Sequence, residues 1–387
     1  MYAYVNELPL IDSHTHRCLY HQEPDFGQLA GGTIGGPSQE RHARQRLLFD
    51  MFLEEMRKRF GMEEGSSKEE IEAERMRRVQ ADPDAYYRDC LEGSNVLAYC
   101  LETGSPLRLP RLTPEETAFF DGIMGEKAHH VIRVERYVDD LLPLELPFEQ
   151  FEKRLYDEIS LTVETEHGVG IKSQLAYYAG LNYYYPSRAE AEAAYEELLK
   201  EPRKASAEAV LYRYTIMIGA DIAYAYGIPL QIHTGPGNGL TLDHKSFDPV
   251  NLSTFFRDKR ILNRVRIVLL HAGQPYEVNT GFLAAQYSNV YTDFSNTLLG
   301  SSINARERLL QLFEYAPMSK IMYGSDSVFF PEMYWYCPMR FRQVLASALD
   351  QLIREGYIGR SRAEEIARMI CYENALECYD KLDPVHR

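Results

Sequence analysis

The sequence predicts an α/β fold, a distorted (β/α)8 TIM barrel with helical insertions that cap its C-terminal face. Eight short apolar segments recur along the chain with helix-favouring stretches between them, which is the pattern of parallel strands joined by crossover helices. Eight parallel strands are the number that closes such a barrel. Several of these segments end in His or Asp, as expected where strand ends gather at one face.

The composition favours one large ordered domain that acts on small molecules. Of the 387 residues 45% are hydrophobic, enough for a sizeable core, and no linker interrupts the chain, so we predict a single domain over residues 1–387. The net charge of −15 argues against nucleic acid and membrane surfaces as partners. The N-terminus shows no apolar leader, so we expect a cytoplasmic protein. A homo-oligomer stays open, because nothing in the sequence locates an interface.

The strands are predicted where apolar and β-branched residues run together before a turn. In chain order we predict Leu8–Ser13, Asn95–Leu101, Val131–Val138, Gly168–Ser173, Pro229–His233, Val265–His271, Asn289–Phe294 and Lys320–Ser325. Parallel strands require crossover connections of a dozen or more residues, and the intervals between these segments provide them.

Two connections are predicted to contain inserted helices. The interval between the first and second strands is too long for one crossover helix, so we predict an insertion at about 22–94, with helices at Gln39–Leu48, Lys68–Gln80 and Asp84–Leu91. A second insertion, at about 183–220, follows the fourth strand and is rich in Ala, Glu and Lys. We expect these helices to cover one end of the barrel.

The first strand runs into two histidines, in Asp12-Ser13-His14-Thr15-His16. Side chains two residues apart in an extended chain share a face, so His14 and His16 can reach the same metal ion. Taken alone, such a pair is equally well explained as two histidines in a surface turn.

Three further strands end in groups that bind metals. His233 and His271 each follow an apolar strand and precede a glycine turn, and Asp326 ends the last strand. Because the carboxyl ends of parallel barrel strands lie at the same face, these side chains converge with His14 and His16. Three or more imidazoles and a carboxylate suit a divalent metal, Zn first and Mn or Fe(II) as alternatives. The opposing interpretation is that all are structural polar groups.

These motifs together resemble the amidohydrolase superfamily, in its metal-dependent amidohydrolase 2 branch. They are Asp12-Ser-His14-Thr-His16, His233-Thr-Gly, His271-Ala-Gly, Gly324-Ser-Asp326 and Tyr372-Glu-Asn374-Ala. The resemblance implies a barrel with a metal at its mouth, and ligands at His14, His16, His233, His271 and Asp326. It further implies a metal-dependent hydrolase that acts on a C–N bond other than a peptide bond.

Lys172 leaves the number of metal ions open at one or two. It ends the predicted fourth strand, where many members of the superfamily carry a carboxylated lysine that bridges two metals. The alternative is an unmodified lysine that pairs with a carboxylate or contacts the substrate. The segment from Lys172 to Gly180 also resembles relatives of the amidohydrolase half of FluG-like fusions, with Tyr178 where an arginine is expected.

The predicted reaction uses water activated by the metal. Asp326 is the expected proton shuttle, because a carboxylate beside the metal can take a proton from water and give it to the leaving group. If Lys172 is unmodified, His271 is expected to contact the substrate or donate a proton and not to bind the metal. His271, or His233 where it is not a ligand, can stabilise the developing oxyanion. The same barrel can support decarboxylation of an aromatic or unsaturated acid, lactone hydrolysis or uronate isomerisation. A barrel that binds ligands without turnover is the remaining alternative.

The substrate-binding residues are the least defined part of the sequence. We predict Tyr177, Arg136 and Trp335, because aromatic residues cluster after the fourth and eighth strands and an arginine can bind a carboxylate. Packing under an inserted helix and internal ion pairs are the alternatives. His244 is a weaker candidate at the barrel mouth.

Overall fold

The computed structural model describes residues 1–17, 41–104, 113–235, 245–296, 303–328 and 330–382. Eight strands form one parallel sheet in the order β1 to β8, with each strand bonded to the next in the chain. The strands are β1 (Leu10–His16), β2 (Val96–Glu102), β3 (Ala128–Arg133), β4 (Gly170–Ser173), β5 (Leu230–Ile232), β6 (Ile267–Leu269), β7 (Val290–Asp293) and β8 (Ile321–Met322).

The sheet closes between β1 and the segment that follows β8. Three backbone hydrogen bonds of 2.9 Å join the two segments: Ser13 N–H to the Tyr323 carbonyl, Asp326 N–H to the His14 carbonyl, and His16 N–H to the Ser327 carbonyl. The predicted eight-stranded barrel is thereby confirmed. Closure also places the C-terminal ends of all eight strands around one mouth.

The described helices surround this barrel. They are α1 (Tyr2–Glu7), α2 (Leu47–Arg59), α3 (Lys68–Ala81), α4 (Pro83–Glu92), α5 (Pro114–Met124), α6 (Val134–Leu141), α7 (Phe148–Thr165), α8 (Leu175–Ala179), α9 (Arg188–Lys200), α10 (Ala205–Tyr226), α11 (Ser253–Arg257), α12 (Glu277–Gln286), α13 (Ala305–Phe313), α14 (Met333–Arg354), α15 (Arg360–Arg368) and α16 (Asn374–Cys378). Within the ranges given above, none of the helices combines the length and the apolar character that crossing a bilayer requires.

The third strand is shorter than predicted. The prediction of a strand over Val131–Val138 is wrong beyond Arg133, because the chain turns into α6 at Val134. Val134, Val138 and Leu141 recur at helical spacing and are all buried, so a helix buries one apolar face that a strand would split between two. The first strand, in contrast, extends past its predicted end and includes both histidines.

The described helices of the first insertion belong to the outer layer. Residues of α2, α3 and α4 share one apolar cluster with β2 side chains and with α14. Two of the predicted helices match α3 and α4. The helix predicted at Gln39–Leu48 is confirmed in part: residues 41–43 are helical, the chain turns at 44–46, and α2 begins at Leu47. The remainder of this insertion, residues 22–40, lies outside the described residues. The predicted cap over the barrel mouth stays a prediction.

The second insertion contains a crossover helix. Within the predicted range 183–220, α9 is an added helix, whereas α10 packs on β4 and leads into β5. Gly219 allows this close packing, since a Cβ there would lie 2.9 Å from Val134 Cγ1 of α6 and 3.3 Å from Ile171 Cγ2 of β4. The inserted part of this connection is therefore the portion that precedes α10.

The barrel interior is apolar at its lower end and polar at its mouth. Ile11, Val131, Val268 and Met322 form a buried cluster with Tyr379 of the C-terminal segment. The interior side chains nearer the mouth are polar and ionisable. The polar groups at the strand ends therefore lie above an apolar layer in the barrel interior.

Removing the buried guanidinium of Arg75 should destabilise the fold. Arg75 of α3 pairs with Glu332, and their side chains are 1% and 0% exposed. Tyr86 of α4 also donates to Glu332, at 2.7 Å. The change Arg75→Ala leaves a carboxylate buried without its cation, so we expect the free energy of unfolding to fall by about 3–5 kcal/mol in denaturant titrations.

Arg77→Ala is the matched control, since it removes a guanidinium that is 67% exposed from the same helix. It should leave the unfolding midpoint unchanged. Equal effects of the two changes would show that the buried pair does not hold the inserted helices to the barrel.

Candidate metal centre

A register shift in β1 turns both histidines toward the interior. Asp12 pairs with Tyr99 and Thr15 with Leu101, so β1 advances three residues where β2 advances two. Such an extra residue changes which side chains face inward. His14 and His16 lie side by side, with ring centroids 4.9 Å apart, and are 0% and 6% exposed.

The carboxylate of Asp326 joins the two histidines. Its Oδ1 lies 3.3 Å from Nε2 of His14 and 3.2 Å from Nε2 of His16. One ligand atom from each of the three residues falls within 4.8 Å of the others. Burial would raise the pKa of Asp326, but the neighbouring His271, His14 and His16 more than offset it and hold the pKa well below its usual range. Asp326 is therefore an ionised acceptor at neutral pH.

The backbone at two site residues is left-handed. Asp326 has φ 52° and His271 has φ 66°, in a region that residues with a Cβ rarely adopt. Such conformations cost free energy and persist only where the surrounding contacts determine them. Here Asp326 N–H donates to the His14 carbonyl, and His271 N–H donates to Asp293 Oδ1 at 2.7 Å.

Glu102 is a site residue that the sequence analysis missed. It ends β2, and its Oε2 lies 3.0 Å from Nδ1 of His16. Arg133, at the end of β3, pairs with the same carboxylate, and Gly104 N–H donates to its Oε1 at 2.6 Å. Burial would raise the pKa of Glu102, but Arg133 and His16 more than offset it and lower the pKa. Glu102 lies at the end of an apolar strand, and the same kind of position led the sequence analysis to Asp326.

Asp293 and Ser295 are two further residues that the sequence analysis did not select. Asp293 ends β7, and its Oδ1 accepts a hydrogen bond from the Ser295 hydroxyl at 2.7 Å. The same hydroxyl oxygen lies 2.7 Å from Nδ1 of His271, whose Nε2 lies 3.0 Å from Nδ1 of His233. Burial lowers the pKa of His271 to about 3, so its ring is neutral.

Lys172 lies in β4, fully buried among the charged strand-end groups. Its Nζ has no hydrogen-bond partner in the described part of the chain. Burial lowers the pKa of Lys172 to about 8, and the nearby carboxylates of Glu102, Asp326 and Asp293 act in the opposite direction. An ammonium group without a partner at this position is available to a ligand.

The donor set fits a divalent metal ion. His14, His16 and Asp326 supply two imidazole nitrogens and a carboxylate, the ligands that Zn and Fe(II) take. Nε2 of His233 is buried and makes no hydrogen bond to a described residue, and Nε2 of His14 has only the Asp326 carboxylate, at 3.3 Å. Buried polar atoms without partners are costly, and a metal that accepts their lone pairs removes the cost.

The three predicted substrate residues lie in different places. The Tyr177 ring of α8 contacts the His233 ring in a tilted arrangement with centroids 4.6 Å apart, which places it at the site. Arg136 lies in α6 and not on a strand, with Nε 3.6 Å from Asp140.

Trp335 lies away from the histidines. The Trp335 ring packs in the outer layer, stacked on Phe52 at 6.4 Å and beneath the guanidinium of Arg59 at 4.9 Å. The structure thus brings Tyr177 to the histidine cluster and leaves Trp335 among the outer helices. His244 lies outside the described residues.

Comparisons with known proteins find one matching family model, one curated relative and solved structures that share the fold. The model of a family described as Amidohydrolase (Amidohydro_2) matches residues 200–381. The protein fluG of Emericella nidulans is 24% identical over 411 residues, which cover 96% of this chain and 46% of fluG, so the chain spans about half the length of this curated relative.

Two solved structures share the fold over nearly the whole chain. A Lactobacillus casei ATCC 334 protein assigned as a metal-dependent hydrolase superposes with a TM-score of 0.81 at 23% identity, covering 98% of both chains. Uronate isomerase of Thermotoga maritima gives a TM-score of 0.67 at 15% identity, covering 98% of this chain and 96% of its own. At these identities the likeness shows the barrel fold.

Replacing both first-strand histidines should abolish metal binding and leave the barrel folded. In the double variant His14→Ala, His16→Ala two of the three clustered ligands are lost, so we expect the metal content per chain to fall to background. Elemental mass spectrometry after reconstitution with Zn²⁺ measures the content, and circular dichroism reports the fold.

The variant His42→Ala is the control, since His42 is exposed and far along the chain from the cluster. Its metal content should match that of the unaltered protein. A double variant that retains metal would contradict the assignment of His14 and His16 as ligands.

Proposed function

We propose that this chain is a member of the amidohydrolase superfamily, and that it is a metal-dependent hydrolase that cleaves an amide or related C–N bond of a small molecule. The observation that carries the proposal is the convergence of His14 and His16 on one Asp326 carboxylate. We assign the metal to these three residues and to Nε2 of His233. The proposed ion is Zn, with Mn or Fe(II) as alternatives.

A bound divalent ion lowers the pKa of water toward neutrality and polarises a carbonyl group. In the proposed reaction Asp326 accepts a proton from the attacking water, for which its lowered pKa leaves it ionised. The water oxygen bonds to the carbonyl carbon, the C–N bond breaks, and Asp326 returns the proton to the leaving nitrogen. The products are an amine and a carboxylic acid, which releases its proton to solvent at neutral pH.

We assign Lys172 to the substrate and propose a single metal ion. Nε2 of His271 is already engaged by His233, which leaves a second ion without that imidazole. The unpartnered Nζ of Lys172 then supplies a positive charge for the carbonyl oxygen or for a carboxylate on the substrate. The Tyr177 ring, which contacts the His233 ring, is proposed to form an apolar wall beside the scissile bond.

The L. casei protein assigned as a metal-dependent hydrolase supports hydrolysis, and the uronate isomerase shares the barrel without consuming water. A reaction in ¹⁸O-labelled water separates these outcomes. Hydrolysis places one ¹⁸O in the product carboxylate, whereas decarboxylation releases carbon dioxide and isomerisation conserves the substrate's mass. The panel of substrates should contain small amides, esters, lactones, aromatic acids and uronates.

Asp326→Asn should lower kcat by about 10²–10⁴-fold on the substrate found in that panel, because the amide cannot accept the proton. Kinetics are measured at a Zn²⁺ concentration that restores the metal content of the variant. Asp157→Asn is the control, as it neutralises a carboxylate that is 52% exposed on α7. Unchanged kcat in Asp326→Asn would reject Asp326 as the proton shuttle.

Lys172→Met should keep the metal content at one ion per chain and raise KM, since it preserves much of the side-chain length and removes the charge. Elemental mass spectrometry and steady-state kinetics on the same preparation measure both quantities. A fall from two ions to one would instead assign Lys172 as a carboxylated bridge between two metals.

A further inference from the structure

A chain of hydrogen bonds behind His233 has a fixed direction. Oδ1 of Asp293 accepts from the backbone N–H groups of His271 at 2.7 Å and Ser295 at 3.2 Å, and these groups can only donate. Oδ1 is therefore an acceptor. The Ser295 hydroxyl, 2.7 Å from the same oxygen, donates its single proton to it.

The direction continues through both imidazoles. Because its proton points to Asp293, the Ser295 oxygen accepts from His271, whose Nδ1 lies 2.7 Å away and carries the ring proton. A neutral ring protonated on Nδ1 has its lone pair on Nε2. His233 therefore donates from Nδ1 to that lone pair across 3.0 Å. These tautomers follow from the hydrogen-bond network.

Nε2 of His233 is where the chain of bonds ends. With its proton on Nδ1, the neutral ring carries a lone pair on Nε2. This nitrogen is buried and has no hydrogen-bond partner within the described ranges. His233 is thus oriented to donate its Nε2 lone pair to a metal ion, whereas both ring nitrogens of His271 are engaged by protein groups.

We propose that Ser295 and Asp293 are positioning residues that fix the tautomers of His271 and His233, so that Nε2 of His233 faces the metal and His271 orients it without binding the ion. We call this set of four residues the His233 relay. The proposal rests on the metal site assigned above, but the roles that it gives to Ser295 and Asp293 are assigned by no sequence motif.

The relay is rigid because each member is buried and held at more than one point. His271, Asp293 and Ser295 are 0% exposed and His233 is 4% exposed. Asp293 holds the left-handed backbone of His271 as well as the serine hydroxyl. Glu102 plays the comparable part for His16, where a carboxylate lies behind Nδ1 and leaves Nε2 to the cluster.

The tautomers can be read directly in the metal-free protein. Long-range ¹H–¹⁵N NMR correlation of protein labelled at histidine distinguishes a ring protonated on Nδ1 from one protonated on Nε2. We expect His233 and His271 to be protonated on Nδ1, with assignments from the single variants His233→Gln and His271→Gln. A His233 ring protonated on Nε2 would overturn the relay.

The contribution to metal binding is measured with Ser295→Ala. Loss of the hydroxyl frees the His271 tautomer, so the affinity for Zn²⁺, determined by competition with a chelating indicator, should fall about 10–100-fold. Ser295→Thr retains the hydroxyl and should restore most of the affinity. Ser94→Ala is the matched control, because Ser94 is a buried serine between α4 and β2 whose hydroxyl donates to the Leu91 carbonyl of α4.

Unchanged Zn²⁺ affinity in Ser295→Ala, with an unaltered melting temperature, would overturn the positioning role. Failure of the unaltered protein to bind Zn²⁺, Mn²⁺ or Fe²⁺ would instead overturn the proposed function, and the NMR measurement would still decide the direction of the relay. If Ser295→Ala does not fold, Asp293→Asn replaces it in the affinity measurement, because it removes the charge while its amide oxygen can retain the acceptor position. The NMR measurement of the tautomers does not depend on either variant.

Discussion

The closure of the barrel between its first strand and the segment after its last strand is the constraint on which the site depends. Asp326 N–H donates to the His14 carbonyl, and His16 N–H donates to the Ser327 carbonyl. These bonds join residues about three hundred positions apart and align the histidines with the carboxylate. The candidate centre is thus assembled by the contacts that complete the fold. A change that breaks the hydrogen bonds between β1 and the segment after β8 separates its ligands.

The same hydrogen bonds explain the strained backbone at the barrel mouth. Asp326 adopts a left-handed backbone because its N–H must reach β1 while its side chain turns toward the two histidines. His271 is held in a similar conformation by the carboxylate of Asp293. In each case a backbone hydrogen bond determines where a functional side chain points, so the site is preorganised by the main chain.

The sequence predicted the barrel and the strand-end histidines, because parallel strands ending in His or Asp leave a clear pattern. It did not predict where β3 ends. The apolar residues between Val131 and Val138 fit the spacing of a strand and that of a helix, and the packing of α6 against α10 favours the helix. Glu102 directly follows a predicted strand as Asp326 does, and Glu102-Thr103-Gly104 repeats the spacing of His233-Thr234-Gly235, but no family motif marked it. Trp335 was predicted at the substrate site because it follows the eighth strand in the sequence. The packing of its ring on Phe52 of α2 shows that it faces the outer helices.

Charge balance at the strand ends gives a physical reason for a metal. With the histidine rings neutral, the carboxylates of Glu102, Asp293 and Asp326 outnumber the cations of Arg133 and Lys172 by one in a buried space. Burial would lower the pKa of His16, but Asp326 and Glu102 more than offset it and raise the pKa, so without a metal a proton on His16 meets part of this demand. A buried excess of negative charge is unfavourable unless a cation compensates it. A divalent ion held by neutral histidines changes the sum from one negative to one positive charge. That sign favours the negative charge that develops on a carbonyl oxygen under attack by water, so the same charge arrangement that favours metal binding also favours hydrolysis.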